Sequence, residues 1–153
     1  MDFQSTGCAY ALPDRKEKNM KSCVVFYSTT GNTEAMANIV ASAAGVELIN
    51  ADSFTPDMVA NYDAIAFGCP AMGEEVLEED VFEPMFTAIE GSLSGKKVAL
   101  FGSYGWGDGE WMRNWADRVK ADGAELLCEP VICQEAPDAD AEASLKDLAA
   151  KLA

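Results

Sequence analysis

Cys23-Val24-Val25-Phe26-Tyr27-Ser28-Thr29-Thr30-Gly31-Asn32-Thr33 is an apolar run that breaks directly into hydroxyls, an amide and a glycine, and a helical pattern begins immediately after it. A strand feeding a helix N-terminus leaves free backbone N–H groups that attract anions, and a glycine lets the chain turn sharply there. The turn carries no lysine or arginine. A nucleotide triphosphate loop needs a lysine after its last glycine and a magnesium-binding hydroxyl beside it. The segment therefore suits a single, permanently held phosphate monoester. The same hydroxyls would also serve as a plain helix cap, so the choice rests on the rest of the chain.

Outward from this junction the pattern alternates. Apolar runs at 23–27, 46–50, 64–68, 97–102 and 126–133 predict buried strands, with helical periodicity between most of them. Met36, Ile39, Val40, Ala43 and Ala44 form one stripe, which Gly45 should stop. Phe82, Met85, Phe86 and Ile89 form a second. Met112, Trp115, Ala116 and Val119, ended by Gly123, form a third, and Leu145, Leu148, Ala149 and Leu152 close the chain. Such alternation implies right-handed crossovers and a parallel sheet covered on both faces, an α/β doubly wound fold in three layers. Residues 46–50 alternate apolar with polar and Pro130 interrupts the last run, so both read as edge strands. That fits a five-stranded sheet of order 2-1-3-4-5, with a ligand expected where strands 1 and 3 diverge.

Two further loops leave the same edge. The loop after strand 3 contains Cys69, Pro70, Ala71, Met72, Gly73, Glu74 and Glu75; the loop after strand 4 contains Ser103, Tyr104, Gly105, Trp106, Gly107 and Asp108. A tryptophan flanked by glycines is poorly packed by its neighbours and suits a lid over a flat ligand, with the flexible Met72 as opposite wall. The glycines of 102–109 do not make a dinucleotide fingerprint, because the place of the third glycine holds Glu110.

Composition narrows the function classes. A chain of 153 residues fits one domain, and its charge of -15 repels nucleic acid and anionic membrane surfaces. Histidine is absent, which removes the usual neutral-pH acid–base group and the commonest metal ligand. No metal site or catalytic residue is expected. The cysteines Cys8, Cys23, Cys69, Cys128 and Cys133 are odd in number and hold no C-x-x-C pair, as for free thiols in a reducing cytoplasm. No apolar stretch is long enough for a membrane span, and the first residues lack a secretory pattern. Residues 1–21 do not share the alternating pattern and are expected to be a flexible extension, with Met20 as an alternative start.

The segments Ser-Thr-Thr-Gly-Asn-Thr (28–33), Gly68 to Glu79 and Ala99 to Met112, in this order and spacing, resemble the short-chain flavodoxins of anaerobic bacteria over roughly residues 22–153. The twenty-residue or so insertion of long-chain members is missing from 126–133. The resemblance implies noncovalent FMN, its phosphate on Ser28, Thr29, Thr30, Gly31, Asn32 and Thr33 and its ring between Met72 and Trp106. Pro70, Ala71, Gly73, Glu74 and Glu75, with Ser103, Tyr104, Gly105, Gly107 and Asp108, complete the implied site. Pro70 stands where some relatives place a phosphate-binding serine, which leaves Ser103 as the hydroxyl able to help.

The resemblance further implies a monomeric, low-potential one-electron carrier cycling between semiquinone and hydroquinone, not an enzyme. The charge of -15, with Glu74, Glu75, Asp108 and Glu110 near the ring, makes an anionic hydroquinone costly. Gly73 tolerates either orientation of the peptide that follows it, and Glu75 resembles the acceptor for the ring N3–H. The acidic run Glu74, Glu75, Glu78, Glu79, Asp80 and Glu83 would steer basic redox partners to the flavin, or simply solvate a helix start. The rival reading is an FMN-dependent NAD(P)H or quinone reductase of the same fold, which needs a substrate pocket where Trp106 is expected.

Overall fold

The strand β1, Ser22–Phe26, is buried at every position, and burial on both faces is what a central parallel strand requires. The computed structural model describes residues 21–29, 31–72, 76–105 and 107–152. Expectations that fall on residues 1–20, Thr30, Gly73, Glu74, Glu75 and Trp106 lie outside them. On one side β1 pairs in parallel with β2, Glu47–Asn50, and on the other with β3, Ala64–Gly68, in the register Phe26↔Gly68. Next comes β4, Lys97–Tyr104, with Gly68↔Phe101. The order is the expected 2-1-3-4-5.

The fifth position differs from expectation. It holds two strands instead of one continuous run over 126–133: β5, Glu125–Leu126, against the first residues of β4, and β6, Val131–Gln134, against its last four. From Val98 to Phe101 β4 advances three residues, while the edge advances five from Leu126 to Val131, so two extra residues bulge out. Leu127 still donates to the Val98 carbonyl at 2.9 Å. Pro130, without an N–H, sits in the interruption, where an edge strand tolerates it.

The sheet faces divide by residue parity. Val24, Phe26, Ala64, Ala66, Ala99 and Phe101 face α1, Asn32–Ala44, and α5, Ala139–Ala150. Cys23, Val25, Ile65, Phe67, Val98 and Leu100 face α3, Phe82–Ile89, and α4, Glu110–Ala121. A single turn, α2, Pro56–Val59, links β2 to β3. The stripes of α3, α4 and α5 are buried as expected. The α1 stripe is rotated: Thr33, Met36, Ala37, Val40 and Ala41 are buried, whereas Ala43 is exposed and Ile39 and Ala44 are half-buried. Small Ala37 and Ala41 let α1 pack closely against both the sheet and its neighbour α5, and the rotation turns Thr33 inward at the carboxyl edge. Gly45, at φ 69°, donates to the Ala41 carbonyl at 2.8 Å and stops the helix as expected.

A charged clamp joins α3 to α4. Arg118 forks to Glu83 at 2.8 and 3.0 Å and to Glu90 at 2.8 and 2.9 Å, with its guanidinium 4.9 Å from the Phe86 ring. Hydrogen bonds from Arg118 hold both carboxyls below the usual range. Asp122 is the opposite case. Burial, then the hydrogen bond to Glu90 and its charge, push Asp122 up to about 6, and its Oδ2 has no partner. A carboxyl raised on folding stabilises the fold below the unfolded value of 3.8, and that contribution is lost as pH rises through about 6. Asp122→Asn should therefore match the parent near pH 4 and exceed it at pH 8 by about 1 kcal/mol, after discounting for solvent screening. Urea melts at the two pH values would show it; equal differences at both contradict it.

Candidate cofactor site at the carboxyl edge of the sheet

The registers that build the sheet bring three loops together. Tyr27 donates to the Gly68 carbonyl at 3.0 Å, Cys69 to Phe101 at 3.2 Å and Ala71 to Ser103 at 3.0 Å, so the loops after β1, β3 and β4 leave as neighbours. Glycine makes this approach possible. A Cβ on Gly102 would run into the Cys69 carbonyl oxygen, and one on Gly68 into the Phe101 ring.

In the hydroxyl-rich turn, Gly31 takes φ 95° and contributes no side-chain cap to α1. Ser28 supplies that service from upstream, its Oγ accepting the N–H groups of Gly31 at 3.1 Å and Glu34 at 3.2 Å. The plain cap reading thus holds for Ser28. It fails for Thr33, which is 1% exposed with its Oγ1 3.3 Å from the Ser103 Oγ, where either hydroxyl can donate. Ser103, 4% exposed, also turns its N–H to Thr33 Oγ1 at 3.4 Å. Two hydroxyls 70 residues apart therefore meet beside a helix N-terminus. Thr29 and Gly31 are exposed, Asn32 is half-buried, and no atom lies within 4 Å of where a Gly31 Cβ would stand. Neutral donors, a positive helix end and open space fit a phosphate monoester.

After β3, Pro70 is buried and Ala71 and Met72 are half-buried. Met72 and Val76 exchange backbone hydrogen bonds of 2.9 and 3.1 Å, which tie the outgoing leg of this loop to its return leg. The return leg corrects the expected acidic surface. Glu78 is 4% exposed and its carboxylate accepts the N–H groups of Asp80, Val81 and Phe82, each at 2.7 Å. Three free N–H groups at the start of α3 draw the carboxylate inward, so Glu78 is an internal cap. Glu83 is engaged by Arg118. Among the described residues of that run, Glu79 and Asp80 remain exposed.

After β4, Gly105, Gly107 and Asp108 are exposed, and half-buried Tyr104 lies 5.7 Å from the Trp111 ring. Asp108 meets Arg113 at 3.1 Å, which offsets part of the negative charge expected from it. Gln134 of β6 donates to the Gly105 carbonyl at 3.2 Å and braces the loop from the sheet edge. Trp111, which the sequence reading passed over, is buried and donates its Nε1–H to the Cys69 carbonyl at 3.2 Å. The only signal was an indole in the first turn of a helix that follows a glycine-rich loop.

The thiols of the four described cysteines are held in their protonated form. Burial pushes Cys69 far up, Cys23 to about 12 and Cys133 to about 11, and raises half-buried Cys128. Cys69 packs and accepts the Glu78 N–H at 3.4 Å. Among the described residues, no cluster of His, Cys, Asp and Glu is placed to hold a metal, and no helix is long and apolar enough to cross a membrane.

Comparison with known proteins agrees with this geometry. The sequence model of the family described as Flavodoxin matches residues 24–147. The flavodoxin of Clostridium beijerinckii is 45% identical over 135 residues, covering 85% of this chain and 97% of the relative. That of Megasphaera elsdenii is 48% identical over 120 residues, covering 75% and 87%. The solution structure of two-electron reduced Megasphaera elsdenii flavodoxin superposes with a TM-score of 0.78 at 46% identity, covering 85% of this chain and 98% of that one. With the family matched over most of its length and the sheet order in place, the chain belongs to the flavodoxin family.

Proposed function

We infer that residues 22–153 form an FMN-binding domain that carries electrons at low potential between partner proteins, as a cytoplasmic monomer. FMN is the cofactor, and the protein is an electron carrier that works with redox partner proteins, not an enzyme. The observation that carries the site assignment is the buried Thr33–Ser103 hydroxyl pair, where the loops from β1 and β4 meet at the N-terminus of α1. Bound FMN supplies single-electron chemistry. This chain's residues determine where it sits and at what potential it works.

Ser28, Thr29, Thr30, Asn32, Thr33 and Ser103 are assigned to the phosphate, through hydroxyls, the amide and backbone N–H groups. Neutral donors hold that dianion without placing a positive charge near the ring. Met72 and Trp106 are assigned to the two faces of the ring, with Pro70, Ala71, Tyr104, Gly105, Gly107 and Asp108 around its edge. Glu75 is assigned to the ring N3–H and Gly73 to the peptide facing N5. Carboxylates at Glu74, Glu75 and Glu110, in a chain of charge -15, disfavour added electrons and keep the potential low. Because Glu78 and Glu83 are engaged internally, the surface proposed to meet basic partners narrows to Glu74, Glu75, Glu79 and Asp80.

Trp106→Ala should raise the FMN dissociation constant about tenfold, equal to about 1.4 kcal/mol, and restore flavin fluorescence that a stacked indole quenches. Fluorescence equal in the two proteins would remove Trp106 from the site. Gly73→Val should move the two one-electron potentials in a stepwise reductive titration, because a β-branched residue narrows the peptide orientations available; unchanged potentials contradict the assignment. Turnover of NAD(P)H by the holoprotein alone would favour the reductase over the carrier.

A further inference from the structure

Glu78 is built into the loop after β3 at more points than a helix cap requires. Its carboxylate takes three backbone N–H groups at 2.7 Å, and its carbonyl accepts the Glu83 N–H at 2.8 Å. Its own N–H reaches the Cys69 Sγ at 3.4 Å. Cys69 is wholly buried and fixed in turn, its N–H on the Phe101 carbonyl and its carbonyl under Trp111 Nε1, each at 3.2 Å. The segment from Cys69 to Glu78 is therefore closed at its base by one contact and cross-braced midway by the Met72–Val76 bridge. Met72, which our functional reading places on one face of the flavin, is one end of that brace.

We propose that Glu78 is a positioning residue for electron transfer: its buried carboxylate fixes the return leg from Val76 to Glu78, and through the Met72–Val76 bridge the placement of Met72 against the flavin. The proposal rests on the FMN reading above. Val76 holds the Met72 backbone by hydrogen bonds in both directions, so a shift of the return leg is passed on to Met72. Glu78 acts by geometry more than by charge, because the three N–H dipoles and the α3 N-terminus already offset its field. Aspartate keeps the charge but is one methylene shorter, so it cannot hold all three N–H groups without pulling the base inward. Glutamine keeps the length but replaces one acceptor with an NH2 donor.

The test uses holoprotein with bound FMN and the variants Glu78→Asp, Glu78→Gln and, as an exposed charge control, Glu79→Gln. The expected result is that both Glu78 variants change the ratio of the two one-electron equilibrium constants about tenfold, which is about 59 mV in the gap between the potentials. Glu79→Gln should change it less than about twofold. Aspartate at parental values with glutamine shifted would show that the length of the side chain does not matter and overturn the proposal. Parental values in both would leave only a structural cap and overturn it as well. The unaltered chain gives a check that no misfolded variant can obscure. Coupling is reciprocal, so amide exchange at Asp80, Val81 and Phe82 should differ about tenfold between oxidised and fully reduced protein. Identical exchange overturns the proposal. Failure of the parent chain to bind FMN would instead overturn the functional reading itself.

Discussion

The parallel pairing of β1 with β3, continued into β4 by the register Phe26↔Gly68↔Phe101, is the constraint on which the molecule's function depends. Parallel strands end at one edge, and the crossovers leave β1 and β3 in opposite directions, so the space between their loops stays clear of helices. Every site feature follows from that placement. The segment that follows β1, the Met72–Val76 bridge and the glycine-rich segment after Tyr104 share one rim because the strands beneath them share hydrogen bonds. Gly68 and Gly102 keep the rim tight, since a side chain at Gly102 would force the backbone of Cys69 away and one at Gly68 would displace the Phe101 ring.

Electrostatics then sets what the rim is good for. A loop with lysine or arginine would bind a phosphate more strongly, yet it would also stabilise each electron added to the ring nearby. On the proposed function this chain uses the opposite solution, with hydroxyls and a helix end for the anion and a surrounding excess of carboxylates. Internal pairing disposes of some of that excess. Arg118 binds Glu83 and Glu90 between α3 and α4, Arg113 binds Asp108, and the start of α3 takes Glu78. Net charge therefore overstates how much negative potential reaches the site.

Much of the fold was legible because buried parallel strands and amphipathic helices have different periods, and both are strong here. The stripe Phe82, Met85, Phe86, Ile89 and the stop at Gly45 needed nothing beyond local rules. The split of the last strand was not legible, since a bulge depends on how many residues the neighbouring strand supplies between fixed pairs. Pro130 marked its place without revealing that Glu125–Leu126 and Val131–Gln134 would be separate. The rotation of α1 was hidden for a similar reason: alanines at 37, 41, 43 and 44 score alike, and only packing against α5 decides which are covered. At the site, residue types pointed to the three loops. That Thr33 and Ser103 would touch, or that Glu78 would turn inward to three N–H groups, depends on tertiary geometry that a charge run does not encode.

On the proposed function, the loops from β1 and β4 grip one phosphate together. Calorimetric titration of the apoprotein with FMN and with riboflavin, which lacks the phosphate, tests it most directly in Thr33→Val, Ser103→Ala and the double variant. Each single change should weaken FMN binding about tenfold, in line with about 1.5 kcal/mol for a hydrogen bond to a charged group. The double variant should lose less than the product of the two, as residues sharing one ligand do. Riboflavin binding should not change. Losses that simply multiply, or that are as large for riboflavin as for FMN, would contradict it.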